Sequence, residues 1–192
     1  MAGAGSDRDD SLYDPLADDE SFALLNKCRD LCWRYNNILP SDMAAKRALL
    51  SQIVGETDGT ATVIAPLHCD YGKNVHLGHR FFANYDTVFL DAAPIVFGDN
   101  VLVGPNCCFT TSGHPVEASV RREGLQYASP ITVGDDVWFG AGVTVCPGVS
   151  IGSDVVIGAG SVVVRDIPSH VVAVGVPCTP IRSLRPGERR RE

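Results

Sequence analysis

The chain has 192 residues, 23 acidic against 16 basic side chains and a formal net charge of −7, a composition that fits one ordinary globular domain. An acidic balance without a basic, aromatic-studded stripe argues against nucleic acid as a partner. No apolar run reaches the roughly 18 residues of a membrane span, and the opening MAGAGSDRDD lacks the charged and apolar segments of a signal peptide, so a cytoplasmic protein without a membrane partner is expected.

Residues 1–10 read as a disordered acidic tail, the first part of a run in which Asp7, Asp9, Asp10, Asp14, Asp18, Asp19 and Glu20 face a single Arg8. A helical segment is predicted over 11–56. From Asp19 to Leu39 the residues Phe22, Leu25, Leu31 and Tyr35 recur at helical spacing, and Pro40 ends the run. A second helix is expected from Ser41 as N-cap, burying Met43, Leu50 and Ile53 and stopping at Gly55. Residues 56–67 read as a connecting strand with turns. Of the seven cysteines, Cys28 and Cys32 stand four apart on the first helix and could pair or bind metal, with small apolar filling the favoured reading. An odd count without framework spacing points to reduced thiols throughout.

From Ile131 the chain counts in sixes: ITVGDD, VWFGAG, VTVCPG, VSIGSD, VVIGAG, SVVVRD. Val133, Phe139, Val145, Ile151, Ile157 and Val163 recur at spacing six, and Gly134, Gly140, Gly152 and Gly158 follow four of them. A period of six suits no helical face, whereas short strands alternate with period two. Two inward apolar residues and a corner, with glycine or Asp/Asn relieving the turn, make one side of a coil. Repeated, this predicts a mainly β parallel solenoid over about 57–183, with a basic tail over 184–192.

Phe97, Val103 and Phe109 keep the same phase upstream, while the hexads around Leu77 and Phe89 are two residues out, with Ala92–Pro94 absorbing the slip. Residues 110–130 form an excursion of whole-hexad length, after which the rhythm resumes in register. Loops on rigid scaffolds commonly carry chemistry, and His114 stands at the start of this one.

The stretches LYDPLADDE, CDYGKNVHLGHRFFANYD, FLDAAPIVFGDN, SGHPV, PITVGDDVWFGAGVTVCPGVSIG, VIGAGSVVVRDIP and GVPCTPIR together resemble the maltose and galactoside O-acetyltransferases, with the nodulation acetyltransferases close by. The resemblance covers about residues 11–183. It implies a left-handed parallel β-helix of triangular section with three hexads per coil. It also implies a homotrimer with active sites between subunits, acetyl-CoA along the coils as co-substrate and no metal. A sugar would be the acceptor, and loop 110–130 would reach across a subunit boundary.

Residue by residue, His114 in SGHPV becomes the general base, a role that suits an imidazole taking a proton from a sugar hydroxyl. The resemblance places Asp70, Asn84 and Asp91 at the sugar, with either Asp14 or Asp18 from LYDPLADDE. Each also has a plain reading, because Asn and Asp are common turn residues. Ala141, Ala159, Val164, Arg165, Thr179 and Arg182 match coenzyme A positions, and the Ala141 amide is the matching donor to the thioester oxygen. Thr179 stands where the galactoside enzymes carry a basic residue, and Cys146 replaces the asparagine usual before Pro-Gly. Trp138 walls the site or packs between subunits, and Phe82, Val116 and Tyr127 are where acceptor preference is expected to lie.

Two rival functions share the scaffold. A γ-carbonic-anhydrase-like enzyme would use His76, His79 and His114 as zinc ligands, and a non-catalytic β-helix binding protein would keep the coil without the chemistry. Cys107 and Cys108, just before the loop, invite a nucleophile reading, but direct transfer requires no covalent intermediate.

Overall fold

Burial alternates along each short strand as the hexads require: Ile131, Val133, Val137 and Phe139 are at most 4% exposed, whereas Thr132 and Trp138 face outward. The computed structural model describes residues 11–15, 19–185 and 187. Its strands stack into three parallel sheets that form the sides of a prism. The first face holds Glu56–Thr57, Val75–Leu77, Ile95–Phe97, Ile131–Val133 and Ser150–Ile151. The second holds Thr62–Val63, Phe82–Ala83, Leu102–Val103, Val137–Phe139 and Val155–Ile157. The third holds Leu67–Cys69, Thr87–Leu90, Cys108–Thr110, Thr144–Val145 and Val162–Val163. Residues 56–67 are therefore sides of the first coil and not a connection to it.

Paired residues lie 18 apart in the later coils, as Thr132 and Ser150 do, and 20 apart in the earlier ones, as His76 and Val96 do. The extra pair enters at the edge between the third and first faces, within 91–94, which holds the predicted slip at 92–94, and also at 70–74. Phe109 pairs with Val145, 36 residues on, so the excursion spans one whole coil length and leaves the register intact. It grows from that same third edge. Inside the prism Phe81, Phe89, Phe97, Phe109 and Phe139 form a ladder of tilted and edge-to-face rings with centroids 4.9–5.8 Å apart.

The corners separate two demands. Positive φ falls on the third corner residue, at Arg80, Asp86, Asn100, Asn106, Asp136, Gly142, Gly148, Asp154 and Gly160; all but Arg80 are Asn, Asp or Gly, which tolerate the left-handed region. The repeat glycines two places earlier are needed for closeness instead: a Cβ on Gly140 would lie 2.5 Å from the Ala159 amide nitrogen of the next coil.

Helix α1 (Asp19–Asn36) closes the first coil. Its inward stripe is Leu25, Cys28, Cys32 and Tyr35, and Phe22, expected inside, is 49% exposed, because docking on the coil end sets the buried face. Tyr35 Oη donates to the Val63 carbonyl at 2.5 Å, and the Asn36 side chain brackets Leu67, donating to its carbonyl at 3.0 Å and accepting from its amide at 2.8 Å. Helix α2 (Met43–Ile53) starts one residue later than predicted, with Asp42 as N-cap accepting from Ala45 at 3.0 Å, and Met43 is exposed while Leu49, Leu50 and Ile53 are buried. At the far end the antiparallel hairpin Val171–Gly175 with Cys178–Ser183 covers the last coil. Among the described residues no helix is long and apolar enough to cross a membrane.

Candidate active site

The excursion opens as a small antiparallel ribbon, Ser112–Gly113 against Tyr127–Ala128, and carries one short helix, α3 (Ala118–Arg121). Gly113 lies under the Tyr127 ring, where a Cβ would collide with the phenol. Buried Thr111 ties the loop root to the coil beneath, its hydroxyl donating to the Leu90 carbonyl at 2.8 Å and accepting from the Ala93 amide at 2.9 Å. The N-terminal segment joins the excursion through an isolated antiparallel bridge: Tyr13 and Gln126 exchange two backbone bonds of 2.9 Å, and Gln126 Nε2 donates to Tyr13 Oη at 2.7 Å. Neither Thr111 nor Tyr13 stood out in the sequence; a Thr-Thr pair and a short tyrosine segment carry no pattern that announces them. Asp14 follows this bridge residue, and Asp18 lies outside the described residues.

His114 follows the ribbon and is exposed. Its Nδ1 is 2.9 Å from the Leu125 carbonyl. A carbonyl only accepts, so Nδ1 carries the hydrogen and the neutral ring keeps its basic lone pair on Nε2.

Three hydrogen bonds show that Asp91 is not a contact for a ligand. It is wholly buried, and its carboxylate accepts from the amides of Asp70 at 3.1 Å, Tyr71 at 2.9 Å and Asn74 at 3.3 Å. Burial pushes its pKa up to about 6 against those donors. The predicted sugar contact is thus a brace for the 70–74 turn, since a carboxylate with both oxygens engaged and no exposed surface has nothing left to offer. That turn presents Asp70, half-buried at a cleft of about 340 Å³ between α1 and the third face. Arg29, Trp33, Asn36, His68 and Leu90 share its lining. Burial raises the Asp70 pKa, opposed by the Arg29 charge. Asn84 sits on the second edge, its Oδ1 accepting from the Tyr85 amide at 2.8 Å and its Nδ2 making no hydrogen bond among the described residues.

The two glycine-marked edges differ chemically. Along the first, each middle amide is closed by a side chain of the next coil: His79 by Asp99 and Asp99 by Asp135, both at 2.8 Å, then Asp135 by Ser153 and Ser153 by Ser169, both at 3.0 Å. Along the second, the equivalent residues are Tyr85, Pro105, Ala141 and Ala159, and the Tyr85 amide is closed by Asn84 of its own coil. Proline has no N–H, and among the described residues the exposed Ala141 and Ala159 amides donate to nothing. A column of open donors remains where one edge has alanine and the other has Asp and Ser.

The remaining predicted coenzyme residues lie at the hairpin end of the prism. Val164 and Arg165 occupy the third edge of the last coil, and Thr179 and Arg182 pair across the hairpin with Val174 and Val172. Outward on the second face, Trp138 and Leu102 are neighbours in register, 50% and 48% exposed. Of the predicted site residues, His114, Asp70, Val164 and Arg165 lie at the third edge, Asn84, Ala141 and Ala159 at the second, and Thr179 and Arg182 on the hairpin beyond them.

Cys107 points into the core and Cys108 outward, half-buried. Burial raises both thiols above their ordinary range, which disfavours a thiolate nucleophile. Among the described residues of one chain the three-histidine zinc set does not form. His76 pairs with Glu56 at 3.3 Å and His79 with Asp58 at 2.6 Å near the first edge, and these imidazoles do not converge with His114.

Residues 11–59 match the family described as the maltose acetyltransferase hexapeptide capping motif, and residues 130–165 match the bacterial transferase hexapeptide repeats. The chain is 39% identical to the galactoside O-acetyltransferase of Escherichia coli over 81% of its own length and 77% of that protein. A maltose O-acetyltransferase from Clostridium difficile superposes with a TM-score of 0.89 at 42% identity, covering 91% of this chain and 93% of that one. A galactoside acetyltransferase solved with coenzyme A gives 0.86 at 34% identity over 92% and 88% of the two chains.

Proposed function

The chain belongs to the hexapeptide-repeat acetyltransferases of the maltose and galactoside O-acetyltransferase type, which use acetyl-CoA, and from this premise we propose that it transfers acetyl to a hydroxyl of a sugar, with His114 as general base. The carrying observation is the Leu125 carbonyl bond to Nδ1, which leaves Nε2 as the basic nitrogen. Nε2 takes the proton of the acceptor hydroxyl as its oxygen attacks the thioester carbon. The Ala141 N–H donates to the oxyanion, and collapse expels the CoA thiolate, which recovers the proton from Nε2.

Asp70 and Asn84 hold the acceptor through hydrogen bonds, Asp70 kept in place by the Asp91 brace. Ala159 lets the pantetheine arm approach the backbone, Val164 and Thr179 flank it, and Arg165 and Arg182 meet phosphate charge. In this reading the third edge of one subunit faces the second edge of the next. The division of site residues between two edges and the exposed Leu102–Trp138 pair both favour a homotrimer with sites at its interfaces.

The test is CoA release from acetyl-CoA with glucose, maltose, galactosides and amino sugars, with mass detection of the product, in wild type and His114→Ala. Acceptor-dependent O-acetylation that falls at least about a hundredfold in the variant is expected. Retained activity in the variant would remove His114 from the reaction, and folded protein that binds CoA without transferring to any acceptor would favour a binding role.

A further inference from the structure

We infer that Cys28, Cys32 and Cys69 form a binding site for a soft, thiolate-seeking metal ion of the Cu(I) or Zn²⁺ class. Their three sulfurs lie within 4.8 Å of one another, and all three residues are buried, at 3%, 5% and 7% exposure. Cys28 and Cys32 are one turn apart on the inward stripe of α1, and Cys69 ends the first strand of the third face. Helix and coil therefore each contribute ligands, and the ion joins them. With metal–sulfur bonds of about 2.3 Å, tetrahedral ligand sulfurs stand about 3.8 Å apart, so a closure of no more than about an ångström meets the requirement.

Soft ions prefer thiolates over the nitrogen and oxygen donors that dominate elsewhere in the chain. All seven cysteines are free, yet among the described residues this is the group whose ligand atoms converge. An entry path exists as well, because Cys32 and Cys69 line the cleft that also holds Asp70. That cleft leaves room for a solvent ligand if the ion takes four. Binding exchanges the thiol protons for the metal, which leave to solvent.

The acetyl transfer itself requires no metal, so the ion's role is structural. Gly72 packs against Cys28 so closely that a Cβ there would lie 3.0 Å from the sulfur. An ion on the three sulfurs thus fastens α1 to the 70–74 turn that presents Asp70.

The experiment takes the full chain, reduced and metal-stripped under anaerobic conditions, and titrates Zn²⁺ and Cu(I) separately against chromophoric chelators. One equivalent of at least one ion per chain is expected. Affinity should fall at least about tenfold to a hundredfold in Cys32→Ala and Cys69→Ala, and Cys107→Ala, which removes a buried thiol elsewhere, should bind as wild type does. Should the cluster variants fail to fold, alkylation of the wild type mapped by mass spectrometry decides: the ion should protect Cys28, Cys32 and Cys69 together. No stoichiometric binding, binding unchanged in the cluster variants, or protection mapped to other cysteines would overturn the site.

Discussion

The amide of Asp135 is closed by the Ser153 hydroxyl of the following coil, 3.0 Å away. Its counterpart on the second edge, Ala141, meets Ala159, which has no atom to close it. Ala159→Ser should therefore copy the first edge's cap onto the Ala141 amide. We expect a gain of about 0.5–1.5 kcal/mol in unfolding free energy from the new bond. The same bond removes the oxyanion donor, and loss of one such donor commonly slows turnover by about 10²–10³. Denaturant melts and steady-state kinetics on one variant check both; a more stable enzyme with unchanged kcat would show that Ala141 is not the donor.

Thr111 fastens the loop that carries His114. Thr111→Val keeps the shape but leaves the half-buried Ala93 N–H without its acceptor, a cost of about 1 kcal/mol. We expect lower thermal stability and a lower kcat with CoA affinity little changed, because the open amides on the second edge are untouched. Calorimetry and CoA titration separate the two effects.

Asp91 makes stability depend on pH. Its folded pKa of about 6 lies above the ordinary carboxylate value that the unfolded chain keeps, so the native protein binds this proton more tightly. The contribution is full below about pH 4 and is lost as pH rises through about 6, a swing of up to about 3 kcal/mol. Asp91→Asn does not titrate. In urea melts from pH 4 to 7, wild type should lose stability relative to the variant; parallel curves would mean that the carboxylate is already ionised at pH 4.

Trp138→Asp places a charge beside Leu102 on the exposed second face. If that face packs between subunits, light scattering should show a shift from trimer to monomer, and transfer should fall with it because the two edges part. An active trimeric variant would relocate the interface.

Much of the fold was legible because the hexad couples sequence to geometry at short range: six residues make one side, and three sides bury each other's apolar pairs. The slip at 92–94 and the in-register return after the loop could both be counted. The N-terminal helices were less legible in detail. Which stripe of α1 turns inward depends on the coil end it covers, so Phe22 lies outside and Cys28 and Cys32 inside.

By itself the sequence determined the coil, the loop and the residue types at each corner, since these follow from local spacing. What Asp91 does was decided by the tertiary structure: an acid that resembles a sugar ligand becomes a brace once the 70–74 amides of the coil beside it turn toward its carboxylate. The difference between the two edges was decided there too. GDD and GAG look like variants of one corner, and only stacking shows that Asp and Ser close the amides of their neighbours while alanine leaves them open, because the partner atom comes from a residue one full coil away.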